Sequence, residues 1–322
     1  MRRINLNTEL NRIERNFVPD TYYLGVYLLE AIPCEIAEKC KELKSLEPAR
    51  VFVAGLQQTQ PPVQTAQTEQ QNNITIYTFG VEIECLMNTR QFIETCNNNN
   101  VELRNDMGNY NHIDSNTSFK IVRDGSIRAQ RGLNGAECVS PILNSFDKLK
   151  NVCDCLAEVG AEVNKSCGLH VHIGANNFTP IQYLNIFVNY MYLEPIIDAS
   201  LAFSRRANNN YYAKTLYRRL AALDEIRLGI NDNLQNIAYT IEDVFCNDRY
   251  YKVNACSFAR HKTIEFRQHQ GSVEYGKISQ WVKFLLNLCE WSKNHRLTSD
   301  VFEKNDARLE GLDTTLLRVM PN

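Results

Sequence analysis

Three short segments of this chain alternate strictly between apolar and ionisable side chains, and nothing else in the sequence limits the fold as much. Residues 74–85 read ITIYTFGVEIEC. Successive side chains of a strand point to opposite faces, so Phe79, Val81, Ile83 and Cys85 share one face and Gly80, Glu82 and Glu84 share the other. At about 3.3 Å per residue, the two carboxylates stand roughly 7 Å apart on one side of one strand. Residues 167–175, CGLHVHIGA, repeat the pattern with Leu169, Val171 and Ile173 on one face and Gly168, His170, His172 and Gly174 on the other. Residues 262–270, KTIEFRQHQ, set Ile264 and Phe266 against Thr263, Glu265, Arg267 and His269. Taken singly, each has an ordinary explanation: a solvated strand face, a structural histidine, a salt bridge between neighbours. Recurring three times, the pattern describes a sheet with one apolar face and one chemically equipped face.

The segments between these strands supply the apolar cover. The sequence predicts a helix over 145–159 with the stripe Leu149, Val152, Cys153 and Leu156 and with Gly160 as its stop. Thr179-Pro180 opens a second helix that carries Tyr183, Leu184, Phe187, Val188 and Met191 inward. A third spans 279–291 with Trp281, Leu285 and Leu288 buried. Residues 123–127, RDGSI, read as a turn or bulge entering a strand, and Pro141 ends the strand begun in GAECVSP, 135–141. The expectation is an α+β fold: a curved, largely antiparallel sheet with helices on its convex face and the ionisable residues in a concave front.

That sheet occupies only part of the 322 residues. Residues 57–73, QQTQPPVQTAQTEQQNN, have almost nothing to bury and read as a flexible tether. Before it, residues 1–56 form a small module, with a helix over 33–46 and a short strand over 50–56, suited to docking a protein partner. The catalytic-sized domain is expected over 74–295, with an insertion over 88–116 whose Asn97–Asn100 run reads as a polar loop, and with 296–322 as a C-terminal tail. A net charge of −2 lacks the basic field of a general nucleic-acid coat. The longest early apolar run, 22–32, is too short to cross a bilayer. Eleven cysteines, an odd number with no C-x-x-C, describe buried thiols in a reducing, cytoplasmic setting rather than a disulfide framework or zinc ribbon.

The concave face would gather Glu82, Glu84, Glu137, His170, His172, Glu265 and Arg267. Carboxylates with imidazoles and no thiolate form a hard ligand set that suits Mg²⁺ or Mn²⁺, and Mg²⁺ at such a site usually carries phosphate. The residues therefore point to metal-dependent phosphoryl transfer. Cys167 is expected on the strand face opposite Gly168 and His170, away from this chemistry.

Six strings in order, FGVEIE (79–84), RDGSI (123–127), GAECVSP (135–141), CGLHVHIG (167–174), RYYKVN (249–254) and TIEFR (263–267), resemble the amidoligases, relatives of glutamine synthetase and glutamate–cysteine ligase. The resemblance covers about 74–295 and implies an ATP-dependent carboxylate–amine ligase that works through an acyl phosphate. By the same resemblance Glu82 and Glu84 would ligate two different Mg²⁺ or Mn²⁺ ions, Glu137 the first and His170 the second. His172 would lie near the nucleotide phosphates. Glu265 would be a metal ligand and Arg267 the cation facing the transferred phosphoryl group. Asp124 and Ser126 match a pattern that positions substrate or metal, and Arg205 or Arg206, with Asn254, would enter the nucleotide pocket. The substrates implied are a carboxylate and an amine, each a small molecule, a peptide or a protein side chain. A phosphotransferase, a metal-dependent hydrolase and a non-catalytic ligand-binding module are the competing readings of the same residues.

Overall fold

Strand β1 (Ile74–Met87) is the spine of an open eight-stranded sheet. The computed structural model of the protein describes residues 74–107, 117–129, 132–229 and 232–317. The module expected at 1–56 and the tether at 57–73 lie outside the described residues, as do the last five positions of the chain. On one side of β1 stands β4 (Asn134–Val139), then β3 (Phe119–Arg123) and β2 (Leu103–Asn105). On the other side stand β6 (Gly168–Gly174), β8 (Thr263–Gln270) and β7 (Val253–Asn254). β2 and β3 run parallel, and the remaining pairings are antiparallel. β5 (Leu143–Ser145) pairs with the first half of β1 on the β4 side. Pro141 separates β4 from β5, because it has no N–H to continue the ladder. There Ser140 Oγ accepts the Val81 N–H at 2.9 Å.

Seven α-helices occur among the described residues: α1 (Thr89–Asn98), α2 (Asp147–Glu158), α3 (Pro180–Ser200), α4 (Leu220–Asp224), α5 (Leu234–Val244), α6 (Ser257–His261) and α7 (Tyr275–Trp291). Thr179 and Gln182 form a reciprocal capping box at the start of α3, with Pro180 in its first turn. This helix is buried nearly all round, as a central core helix must be. Phe79, Val81, Ile83 and Cys85 of β1, Leu169, Val171 and Ile173 of β6, and Ile264 and Phe266 of β8 pack with Leu149, Val152 and Leu156 of α2. The same core takes in Tyr183, Phe187 and Met191 of α3 and Trp281, Leu285 and Leu288 of α7. After α7 the chain returns to it through Leu297, Val301, Leu309, Leu312 and Leu317. No helix among the described residues is long and apolar enough to cross a membrane.

Four local readings change. Residues 123–127 form the turn that leaves β3, not one that enters a strand; β3 itself, with Phe119 and Ile121 buried, was too short to announce its period. Asn97 and Asn98 close α1, and the reversal falls to Asn100, at φ 54°. The 88–116 insertion thus holds a helix and a strand as well as its loop. Most consequential is β8. Phe266 lies opposite Val171 and His269 opposite Leu169, so β8 spends one more residue than β6 between the two pairs. This bulge turns His269 from the Glu265 face into the core, where its ring lies tilted against Trp281 with centroids 5.2 Å apart.

Candidate active site and metal centre

Register across the sheet brings the ionisable residues together. Glu84 lies opposite Glu137 on β4, and Glu82 lies opposite His170 on β6. His172 is opposite Glu265 on β8, which in turn is opposite Asn254 on β7. The face that carries them, opposite the helices, lines an open cavity of about 1590 Å³. Glu82, Glu84, Asp124, Ser126, Glu137, His170, His172, Arg205, Asn254, Glu265 and Arg267 all line it.

Glu82 is the hub. One carboxylate oxygen lies 2.9 Å from His170 Nδ1 and the other 3.2 Å from His172 Nε2. Two sets of donor atoms, each within a span of 4.8 Å, share it: Glu82, Glu137 and His170 form one, and Glu82, His172 and Glu265 the other. Glu84 stands outside both. It accepts the Gly168 N–H at 2.6 Å and faces His170 Nε2 at 3.4 Å. Glycine at 168 suits this approach, since a Cβ there would crowd His170 Nε2 at 3.1 Å and an Arg205 nitrogen at 3.2 Å. Glu265 accepts from Asn254 Nδ2 at 2.5 Å and from Arg267. Arg267 also donates through Nε to the Tyr212 carbonyl at 3.4 Å.

Charge in this face is unevenly settled. Burial raises Glu82, but hydrogen bonds and charge from His170 and His172 outweigh it and hold the carboxyl well below its usual range. Burial likewise raises Glu265, and Arg267 with His172 pulls it below normal. Burial lowers His172, yet the Glu82 contact leaves it raised overall. Glu137 has no such relief. Burial and then the charges of Glu82, Glu84 and Asp124 push it well above the carboxylate range. A carboxyl driven towards neutrality by three others is a site short of positive charge. Oxygen and imidazole donors this close fit a divalent cation of the Mg²⁺ or Mn²⁺ type, and neither donor set includes a thiol.

Arg205 and Arg206 part company. Arg205 is 4% exposed, donates to the Cys167 carbonyl and reaches the cavity, while its Nε has no hydrogen-bond partner. Arg206 does not line the cavity; its Nε is bound to the Leu201 carbonyl at 2.9 Å. Asp124 holds the turn by accepting the Ser126 N–H at 2.7 Å, and the Ser126 side chain is exposed at the rim. Cys167 packs with Leu86 and Ile127, and Leu86 shares the strand face of Glu82 and Glu84. The thiol therefore lies on the front side, contrary to the alternation argument, because β6 begins only at Gly168. Burial raises its pKa, so it is a poor nucleophile all the same.

Sequence reasoning passed over Gln268 and the tyrosines of the cavity wall. Gln268 is fully buried and bonds Asp198, the Arg205 carbonyl and Tyr190 Oη. Tyr211 and Tyr212 line the cavity yet stay exposed, and the only signal for them was the NNNYY string at 208–212.

No curated protein matches the chain. A protein-family model does, described as "putative amidoligase enzyme", and the match runs over residues 75–289. It reaches every strand of the sheet and takes in every residue of the two donor sets. With two thirds of its length inside that match, and with the site falling on the matched strands, this chain belongs to the amidoligase family, a family named for ligases.

Proposed function

We propose that the protein is an ATP-dependent carboxylate–amine ligase that requires Mg²⁺ or Mn²⁺. The observation that carries this reading is Glu82, shared by two carboxylate–imidazole donor sets beside an arginine fixed by Glu265. In this reading Glu82, Glu137 and His170 would hold one cation, and Glu82, His172 and Glu265 would hold the other. Cations bound there would offset the charge of the nucleotide phosphates. Glu84 orients His170 and the Gly168 backbone instead of ligating directly. Asn254 fixes the second oxygen of Glu265, which leaves that carboxylate one orientation.

A carboxylate substrate and ATP repel each other, and the phosphoryl group in flight spreads negative charge over its equatorial oxygens. Arg267, pinned between Glu265 and the Tyr212 carbonyl, meets that charge without reorganising. The carboxylate oxygen attacks the γ-phosphorus, ADP leaves, and an acyl phosphate remains. The amine nitrogen then attacks the acyl carbon, phosphate departs with the C–O bond electrons, and the amine loses its proton. In this reading Asp124, whose charge is felt at Glu137, accepts that proton, and Ser126 adjoins it. Eleven cysteines, an odd number with no C-x-x-C, support a reducing, cytoplasmic setting.

The test is Mg²⁺-dependent ADP release with pools of amino acids, polyamines and peptides, in the presence of hydroxylamine. Hydroxylamine traps an acyl phosphate as a hydroxamate. Hydroxamate formed together with ADP supports the ligase. ADP with a stable phosphorylated product and no hydroxamate would make the protein a phosphotransferase. Metal and nucleotide binding without turnover would leave it a binding module, and undiminished turnover after exhaustive chelation would remove the cations from the reaction.

A further inference from the structure

One segment, residues 203–212, puts Arg205 at the cavity floor and Tyr211 and Tyr212 at its rim. Tyr211 is 64% exposed and Tyr212 47%. With Tyr250 they form a cluster in which each ring centroid lies 5.2–5.5 Å from the others. Tyr212 meets both neighbours nearly edge-on, at 88° and 83°. Lys214 Nζ sits 4.5 Å from the Tyr211 centroid and the Arg249 guanidinium 5.1 Å from that of Tyr250. Asp248 neutralises Lys214, whereas Arg249 is exposed and enters no ion pair among the described residues.

This rim continues into the reaction centre, because Arg267 binds the Tyr212 carbonyl and lies 5.9 Å from the Tyr250 ring centre. Asn209 and Asn210 line the cavity beside it. Rigid exposed tyrosines with asparagine and arginine make up the composition of a protein-recognition surface, where aromatic and arginine anchors carry most of the binding energy. The cavity is also larger than the roughly 300–1,000 Å³ typical of small-molecule sites. Stacking of nucleic-acid bases needs free ring faces. Here a cation already lies over a face of Tyr211 and of Tyr250, and Tyr212 is wedged against both.

We propose that the Tyr211–Tyr212–Tyr250–Arg249 rim binds an acidic peptide segment, and that the carboxylate substrate is a group on a peptide chain, not a free amino acid. The second half rests on the ligase reading; the binding does not. A peptide carboxylate placed before Arg267 would leave flanking side chains on the tyrosines and a neighbouring acidic residue against Arg249.

The test uses the full chain in chelator, without nucleotide, and a fluorescein-labelled random copolymer of glutamate and tyrosine as probe. Anisotropy should report saturable, salt-sensitive binding. The double variant Tyr211→Ala/Tyr212→Ala and the single variant Arg249→Ala should each weaken it about tenfold or more. Tyr211→Phe, which keeps the ring, should bind like the wild type, and unchanged melting curves would show that the alanine variants fold. Equal affinity in the folded alanine variants overturns the proposal. So does equal competition by free glutamate at matched carboxylate concentration, and stronger competition by oligo(dT) would assign the rim to nucleic acid. Hydroxylamine trapping separates the two claims. Rim-dependent binding with no hydroxamate on any carboxylate leaves the peptide rim standing and the ligase refuted. Hydroxamate on free glutamate that is indifferent to the rim variants leaves the ligase standing and refutes the peptide-borne carboxylate.

Discussion

Glu137 offers the most direct measure of whether this face is built around cations. Its carboxyl is pushed well above the ordinary value of 4.5 by burial and by Glu82, Glu84 and Asp124. Without metal, the folded protein therefore keeps the Glu137 proton to higher pH than the unfolded chain does. From about pH 4.5 up to that raised value the folded state binds more protons, so stability falls as pH rises. One full proton of difference corresponds to a slope of at most about 1.4 kcal/mol per pH unit. Glu137→Gln has the size of the protonated acid and no charge to lose, so the Glu137 contribution to the slope should vanish from it. Glu82 and Glu265, whose carboxyls lie below their usual range, act in the opposite sense and at lower pH. Urea unfolding of both proteins in chelator at pH 5, 6 and 7 isolates the Glu137 contribution as the difference between two curves. Saturating Mg²⁺ should abolish the difference between wild type and Glu137→Gln and release the Glu137 proton, because a bound cation takes over the work of the proton. Parallel pH curves for wild type and Glu137→Gln in chelator would show that Glu137 is ionised and solvated without metal. The argument from crowded carboxylates to a cation site would then fail.

The sequence displayed the site more plainly than it displayed the route to it. Alternation in β1 and β6 set Glu82, Glu84, His170 and His172 on one face, because both strands run without interruption against a buried partner face. Thr179-Pro180 announced α3 through the capping chemistry of its first turn. Alternation misled where the backbone broke its own period. Nothing in KTIEFRQHQ marks the bulge between Phe266 and His269, which is a property of the pairing with β6 and exists only once the strands meet. Cys167 failed for the same reason, since strand parity says nothing about a residue one step before the strand. The choice between Arg205 and Arg206 turned on a 3-10 turn, Phe203–Arg205, whose exit sends one side chain to the floor and the other to a carbonyl. Local composition cannot see that geometry.

Three further predictions follow from these contacts. Arg267→Ala should slow turnover about 10²–10³-fold through loss of the fixed cation, and should destabilise the metal-free protein by about 1.5–3 kcal/mol by removing one charged partner of Glu265, which keeps Asn254; ADP release and thermal melts in chelator check the two effects, and a wild-type melt would deny the buried pair. His269 is buried, and that burial holds its pKa at about 4, so it withholds a proton that the unfolded chain takes up below about pH 6.5. Its neutral form supports the fold above that range, and the support is lost as pH falls towards 4; His269→Phe should flatten this acid limb in unfolding experiments and leave Mg²⁺ titrations unchanged, and a loss of Mg²⁺ affinity would return His269 to the site. The last concerns Gln268, which touches no donor set yet holds both arginines. Its amide donates to the Arg205 carbonyl at 3.2 Å and to Asp198, its oxygen accepts from Tyr190 Oη at 2.7 Å, and Arg267 precedes it at the bulge. Asp198 is in turn fixed by the fully buried Lys252 at 2.7 Å, so the strand cannot shift to compensate. Gln268→Leu keeps the bulk and removes the bonds, so it should cost about 1–3 kcal/mol for each buried partner left unsatisfied. Because Glu82, Glu137, His170 and His172 are anchored by other strands, Mg²⁺ affinity should persist while turnover falls. A variant that loses metal and rate together would mean that the bulge supports the whole sheet; one that loses neither would mean that the arginines hold their places without it.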